Sequence, residues 1–214
     1  MTTAAAAMEG MPERAQAFEF EVARPPGQSR ITNFPLFIGT FIRVILLIPH
    51  FVILYFLQIV ANILYLIATF AILFTGRFPG GLFNFVLGYL RWNANVYGYV
   101  GHLYDAYPPF NLQQQEAFPL QFRVEAPESS SRLLNFPFLG FIIKFVLLIP
   151  HLIVLSFLYL VALILIFIAQ FAILFTGAFP EGMHKFVVGV GRWYNRVEVY
   201  LLALSDKYPP FSMS

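Results

Sequence analysis

Cysteine is absent from the 214 residues, which excludes disulfides, thiolate metal sites and a cysteine nucleophile. Charge is scarce too. Asp, Glu, Lys and Arg make up 11% of the chain, against roughly 25% in soluble domains, too few to cover a surface that faces water on all sides. The formal net charge is only +2 and the basic residues are scattered singly, so the footprint of a nucleic-acid-binding protein is missing. There is no phosphate-cradling glycine loop, no His-Glu-x-x-His and no nucleophile elbow, and a non-enzymatic protein is expected. Residues 1–17 are Ala-rich with Glu9, Glu13 and Arg14. They lack the apolar core of roughly 7–15 residues of a cleavable leader and read as a flexible tail.

What the chain has in abundance is apolar and aromatic surface: 59% hydrophobic residues, with 26 Phe and 11 Tyr, a composition suited to lipid and interfacial contact. It also repeats itself. Ala71-Ile72-Leu73-Phe74-Thr75-Gly76 returns as Ala172-Ile173-Leu174-Phe175-Thr176-Gly177, and Asp105-x-Tyr107-Pro108-Pro109-Phe110 returns as Asp206-x-Tyr208-Pro209-Pro210-Phe211. Such a period sets the domain organisation before any other reading: a tail over 1–17, repeat 1 over 18–111, a linker over 112–119 and repeat 2 over 120–214.

Each copy opens on an alternating stretch, Phe18, Phe20 and Val22 in one and Leu120, Phe122 and Val124 in the other. Period-two alternation predicts a half-buried strand. If the two strands pair, Glu19 or Glu21 comes near Arg123 on the polar face. Asn33-Phe34-Pro35 and Asn135-Phe136-Pro137 then give a helix-start signal. The apolar runs that follow, 34–74 and 136–175, carry one charge each, Arg43 and Lys144. A straight helix of that length measures roughly 60 Å, about twice the hydrocarbon thickness. A break is therefore expected at Pro49-His50 and Pro150-His151, because proline removes a backbone donor. The result is a helical hairpin, with a re-entrant loop or a single crossing with inverted copies as alternatives. Thr75-Gly76 and Thr176-Gly177 stop the run. The last segments (82–104; 183–205) mix apolar residues with ionisable ones, as an amphipathic helix in the membrane interface does.

The order Asn-Phe-Pro, basic residue, Ile-Pro-His, Phe-Thr-Gly-x-Phe-Pro, Arg-Trp, Asp-x-Tyr-Pro-Pro-Phe resembles the bacterial membrane family called domain of unknown function 4389, once per copy over nearly all of 18–211. The resemblance implies a bacterial integral membrane protein and brings no catalytic residue or substrate. The expected fold is a mainly α membrane protein, multi-pass in the cytoplasmic (inner) membrane.

Arg91, Trp92, Arg192 and Trp193 are expected to anchor at the headgroups, where Trp settles and Arg reaches phosphates. Arg43 and Lys144 are expected to snorkel there or to pair with a carboxylate. Pro49, Pro150, Asp105 and Asp206 are expected to be structural, each Asp ending a helix or pairing with Arg91 or Arg192. His50 and His151 are the candidate cofactor ligands, as axial ligands of a haem or chlorin, with helix-junction hydrogen bonding as the plainer role. The function expected is that of a non-enzymatic accessory or scaffold protein, partnered by lipids and by other membrane subunits or its own copies. A haem- or chlorin-binding subunit and a small repeat-built transporter are the alternatives.

Overall fold

A computed structural model describes residues 18–214; the tail expected over 1–17 lies outside the described residues. Strand β1 (Phe18–Val22) leads into α1 (Ile38–Leu46), α2 (Ile48–Thr75) and α3 (Gly80–Val100). The second copy follows as β2 (Leu120–Val124), α4 (Leu139–Thr176) and α5 (Glu181–Leu201). The fold is mainly helical, with one short strand pair and two apolar helices.

The strands pair antiparallel with Phe20 opposite Phe122, its own counterpart in the other copy. Glu19 meets Arg123 at 2.9 Å on the polar face. Pairing a residue with its own equivalent places a pseudo-twofold axis through that pair. The same symmetry recurs at the helix ends. The Gln28 amide donates to the Gly177 carbonyl at 2.7 Å, and the Ser130 amide donates to the Gly76 carbonyl at 2.8 Å. Each strand also packs on the helix of the other copy, β1 on α5 and β2 on α3. The repeats therefore exchange strands, and neither copy is complete alone.

Contacts run from α2 to α3, from α4 to α5, and from α3 and α5 to the sheet. The result is three layers: the long apolar helices, the middle helices, and the sheet with Glu19, Glu21 and Arg123 on its outer face. One narrow stripe of each long helix meets the middle layer, Leu47, His50, Leu54, Ala61, Ala68 and Ile72 in copy 1. Its spacing of three, four and seven residues is one face of a helix. The other faces stay exposed and largely apolar, from Ile38 to Phe74 and from Leu139 to Phe175, with Gln58, Asn62 and Ser156 as exposed polar residues among them. Both helices are long and apolar enough to cross a membrane.

The expected hairpin is not formed. Helix α4 runs unbroken for 38 residues with Pro150 inside it, and α1 and α2 are separated by Leu47 alone, which keeps right-handed φ/ψ. A proline costs a helix one hydrogen bond and bends it, but it does not reverse the chain. The helix starts also differ from expectation. Phe37 and Phe138 occupy the N-cap positions with φ of 65° and 62°, and no side chain caps them. Copy 1 has one extra residue here, Leu36, absorbed as a second left-handed residue with φ 62°. A Cβ on Gly39 would lie 2.8 Å from the Thr32 carbonyl oxygen, and one on Gly140 2.5 Å from that of Leu134, so only glycine lets the incoming loop close on the helix.

Candidate functional site

The paired sequence landmarks converge on two matched clusters in each copy. The first surrounds the basic residue. Arg43 is fully buried, and its five N–H groups all find oxygen. Nε donates to the Thr32 carbonyl at 2.9 Å, and Nη1 to the Tyr99 and Tyr104 carbonyls at 2.6 and 2.8 Å. Nη2 donates to Asn33 Oδ1 at 2.8 Å and forms an ion pair with Asp105. Asp105 also accepts from Asn33 Nδ2 at 2.9 Å. In copy 2 Lys144 is equally buried and donates to Asn135 Oδ1 at 2.6 Å and to the Tyr200 carbonyl at 2.9 Å. Asn135 in turn donates to Asp206 at 2.8 Å. The basic residue thereby ties the loop before the long helix to the end of the middle helix.

The second cluster surrounds the histidine. The Trp92 indole donates to His50 Nδ1 at 2.8 Å, and the Trp193 indole to His151 Nδ1 at 2.9 Å. Phe110 stacks on the His50 ring at 3.9 Å and Phe211 on that of His151 at 3.8 Å. The Tyr107 and Tyr208 hydroxyls donate to the Leu46 and Leu147 carbonyls at 2.7 and 2.9 Å. The Tyr-Pro-Pro-Phe segment therefore folds back as a lid on the Pro-His junction.

Indole N–H is a donor only, so each histidine accepts at Nδ1 and, when neutral, carries its proton on Nε2. A protonated Nε2 has no in-plane lone pair for iron or magnesium, and this arrangement does not suit the axial ligand role considered for His50 and His151. The Nε2 atoms are buried without a protein partner in both copies. Among the described residues no three His, Cys, Asp or Glu side chains gather as a metal site.

A family model matches residues 38–111 and 139–213, more than half of the chain, under the description "Domain of unknown function (DUF4389)". The chain belongs to the DUF4389 family. No curated protein and no solved structure matches it. The two matches make this a tandem DUF4389 protein, and each contains the basic residue with its aspartate and one His–Trp cluster, while Thr32, Asn33 and Asn135 of the basic clusters lie just before the matched segments.

The anchoring residues expected at the headgroups are placed elsewhere. Arg43 and Lys144 have no exposed surface, and Trp92 and Trp193 are buried, because each donor is used inside the copy. Arg91 Nε donates to the Phe122 carbonyl at 2.9 Å and Arg192 Nε to the Phe20 carbonyl at 2.8 Å. They clamp the exchanged strands instead of reaching outward. Covered by a long helix on one side and a strand on the other, α3 and α5 are middle-layer helices, not peripheral interfacial ones. Asp105 pairs with Arg43, not Arg91, because left-handed His102 (φ 57°) turns the chain back toward the helix start. Pro49 lies in the first turn of α2 and Pro150 lies inside the unbroken α4, each next to the histidine of its His–Trp cluster.

Copy 1 adds a bridge that the sequence did not announce. His102 Nδ1 faces Asn33 Oδ1 at 2.8 Å, so Nδ1 is the donor, and Nε2 lies 2.9 Å from Thr40 Oγ1 and 3.0 Å from Gln170 Nε2 of the other copy. Burial, with Arg43 nearby, pushes His102 down to about 3, and it is neutral at ordinary pH. At the symmetric place stand Ala203, Phe141 and Thr69.

Proposed function

We propose that this DUF4389 protein is a non-enzymatic scaffold of the bacterial cytoplasmic membrane, one that works by packing against lipid and against other membrane subunits or its own copies. The observation that supports the reading is a division of labour. The duplicated polar landmarks are used in internal bonds, whereas the outer faces of α2 and α4 are apolar over nearly their whole length, interrupted by Gln58 and Asn62 on α2 and by Ser156 on α4. An uncovered apolar surface of that extent marks a lipid or protein contact. In that role the five-donor Arg43 cluster, its Lys144 counterpart and the His–Trp clusters hold the apolar helices at a fixed spacing, and the exchanged strands lock the copies together.

Extraction in mild detergent followed by size analysis tests the proposal. A scaffold is recovered with a defined set of partner subunits or as a discrete self-assembly. Recovery as a lone monomer at all detergent concentrations contradicts it. The pigment-binding alternative makes a separate claim on the same material: His50 and His151 held as acceptors at Nδ1 predict a colourless preparation, and a Soret or chlorin band would restore that alternative.

A further inference from the structure

We propose that α2 and α4 lie side by side in the plane of a single leaflet, so that the protein sinks one apolar face into the membrane and crosses it nowhere. This rests on the membrane reading above and goes beyond it by naming the surface the protein fits: the acyl-chain region of one leaflet, with the sheet facing water.

The argument begins with direction. The start of the first long helix lies against the end of α4, where Gln170 Nε2 donates to Thr40 Oγ1 at 2.9 Å and Arg30 Nε to the Leu174 carbonyl at 3.0 Å. The end of α2 lies against the start of α4, with Phe70 and Phe138 centroids 6.5 Å apart. The two helices therefore run antiparallel, and the pseudo-twofold axis that relates them passes through the Phe20–Phe122 pair of the sheet. If they stood upright, that axis would lie in the membrane plane. The sheet's outer face, with Glu19, Glu21 and Arg123, would then sit at mid-bilayer depth, where charge is most costly. Turning the molecule so that the axis follows the membrane normal removes the conflict. Both copies then share one depth, the three layers run from lipid to water, and the charged face of the sheet is the outermost.

Length points the same way. Helix α4 has 38 residues, about 57 Å at 1.5 Å per residue, against roughly 30 Å of hydrocarbon. Its exposed residues from Leu139 and Phe141 at one end to Phe175 at the other are apolar apart from Ser156, whose hydroxyl donates to the Ile153 carbonyl of its own helix, and its one charge, Lys144, is turned inward and buried. An upright helix would leave nearly half of this apolar length in water. A helix lying in the leaflet has no such limit.

Because the chain has no cysteine, single substitutions report accessibility without a background. Arg77→Cys, Glu181→Cys and Glu125→Cys change exposed residues at one helix end, at the opposite end and beside the sheet. Each is treated with a membrane-impermeant maleimide in sealed right-side-out and everted membrane vesicles of expressing cells. In-plane seating predicts that all three are modified in the same preparation and protected in the other. Modification of Arg77→Cys and Glu181→Cys in opposite preparations would overturn in-plane seating while leaving the membrane reading intact. Recovery of the protein in the soluble fraction would overturn both.

Discussion

At the start of the long helix copy 1 holds an arginine and copy 2 a lysine, and the surroundings differ to match. Arg43 spends five donors on Thr32, Tyr99, Tyr104, Asn33 and Asp105. Lys144, a compact ammonium, reaches Asn135 and Tyr200 and has no ion-pair partner within 4 Å among the described residues. Asp206 is instead held by Asn135 and by the Ser131 amide. Both cations also lie over an aromatic face, Arg43 over Tyr99 at 4.3 Å and Lys144 over Tyr200 at 5.0 Å. Arg and Lys are not interchangeable where a planar fork is used. What the two copies keep in common is a buried positive charge that donates to a helix-end carbonyl and to an asparagine side-chain oxygen. The number of bonds it makes is free to vary.

That difference can be broken directly. Arg43→Met takes the ion-pair partner from the partly exposed Asp105 and leaves several buried carbonyls without a donor, and is expected to cost about 3–5 kcal/mol. Lys144→Met strands fewer groups and is expected to cost less, about 2–3 kcal/mol. Denaturant unfolding in detergent checks both, and equal costs would show that the extra bonds of Arg43 contribute nothing. Asp105→Asn against Asp206→Asn sharpens the same contrast. The first removes an ion pair and is expected to lose about 1–3 kcal/mol, with a smaller loss for the second.

Where the copies agree, paired substitutions should agree as well. Trp92→Phe and Trp193→Phe each remove an indole bond to a buried histidine, at 2.8 and 2.9 Å. Each is expected to cost about 1–2 kcal/mol, with the two melting temperatures shifting together. Divergent shifts would mean that one His–Trp cluster does something the other does not.

The smallest effect tests an asymmetry between the middle helices. Glu198 stands where copy 1 has Tyr97. Burial pushes it up to about 7, against the opposing pull of the Tyr194 hydroxyl that donates to it at 2.9 Å. A carboxyl raised in the folded state binds its proton more tightly there than when unfolded, so its contribution falls as pH rises from its ordinary range through about 7. Glu198→Gln is therefore expected to raise the melting temperature by a few degrees above pH 7 and to change little near pH 4. A melting profile that responds equally at both pH values would contradict this.

Much of this was legible in the chain. Duplication singled out the Asn, basic, Pro-His, Arg-Trp and Asp-x-Tyr-Pro-Pro-Phe landmarks, and alternation located both strands and the Glu19–Arg123 contact. Four features were not. A basic residue in an apolar run looks the same whether it snorkels outward or turns inward. The signal that separates the cases is the stripe Lys144, Leu148, His151, Leu155, Ala162, one helix face that is buried throughout. Pro150 overstated the break, because one lost hydrogen bond is small beside the remainder of a 38-residue helix. Strand exchange was invisible because a strand packed on its own copy and one packed on the other have the same hydrophobic pattern. The bridge that His102 makes with Thr40 and Gln170 escaped notice because these residues lack counterparts, and the symmetry that found the other residues passed over them.

The central claim is that the motif residues face inward so that two apolar helices can face lipid. The most direct measurement is retention of the full chain on membranes after an alkaline carbonate wash without detergent. The account predicts that the protein stays entirely with the membrane pellet. Release into the wash as a folded, monodisperse protein would contradict it.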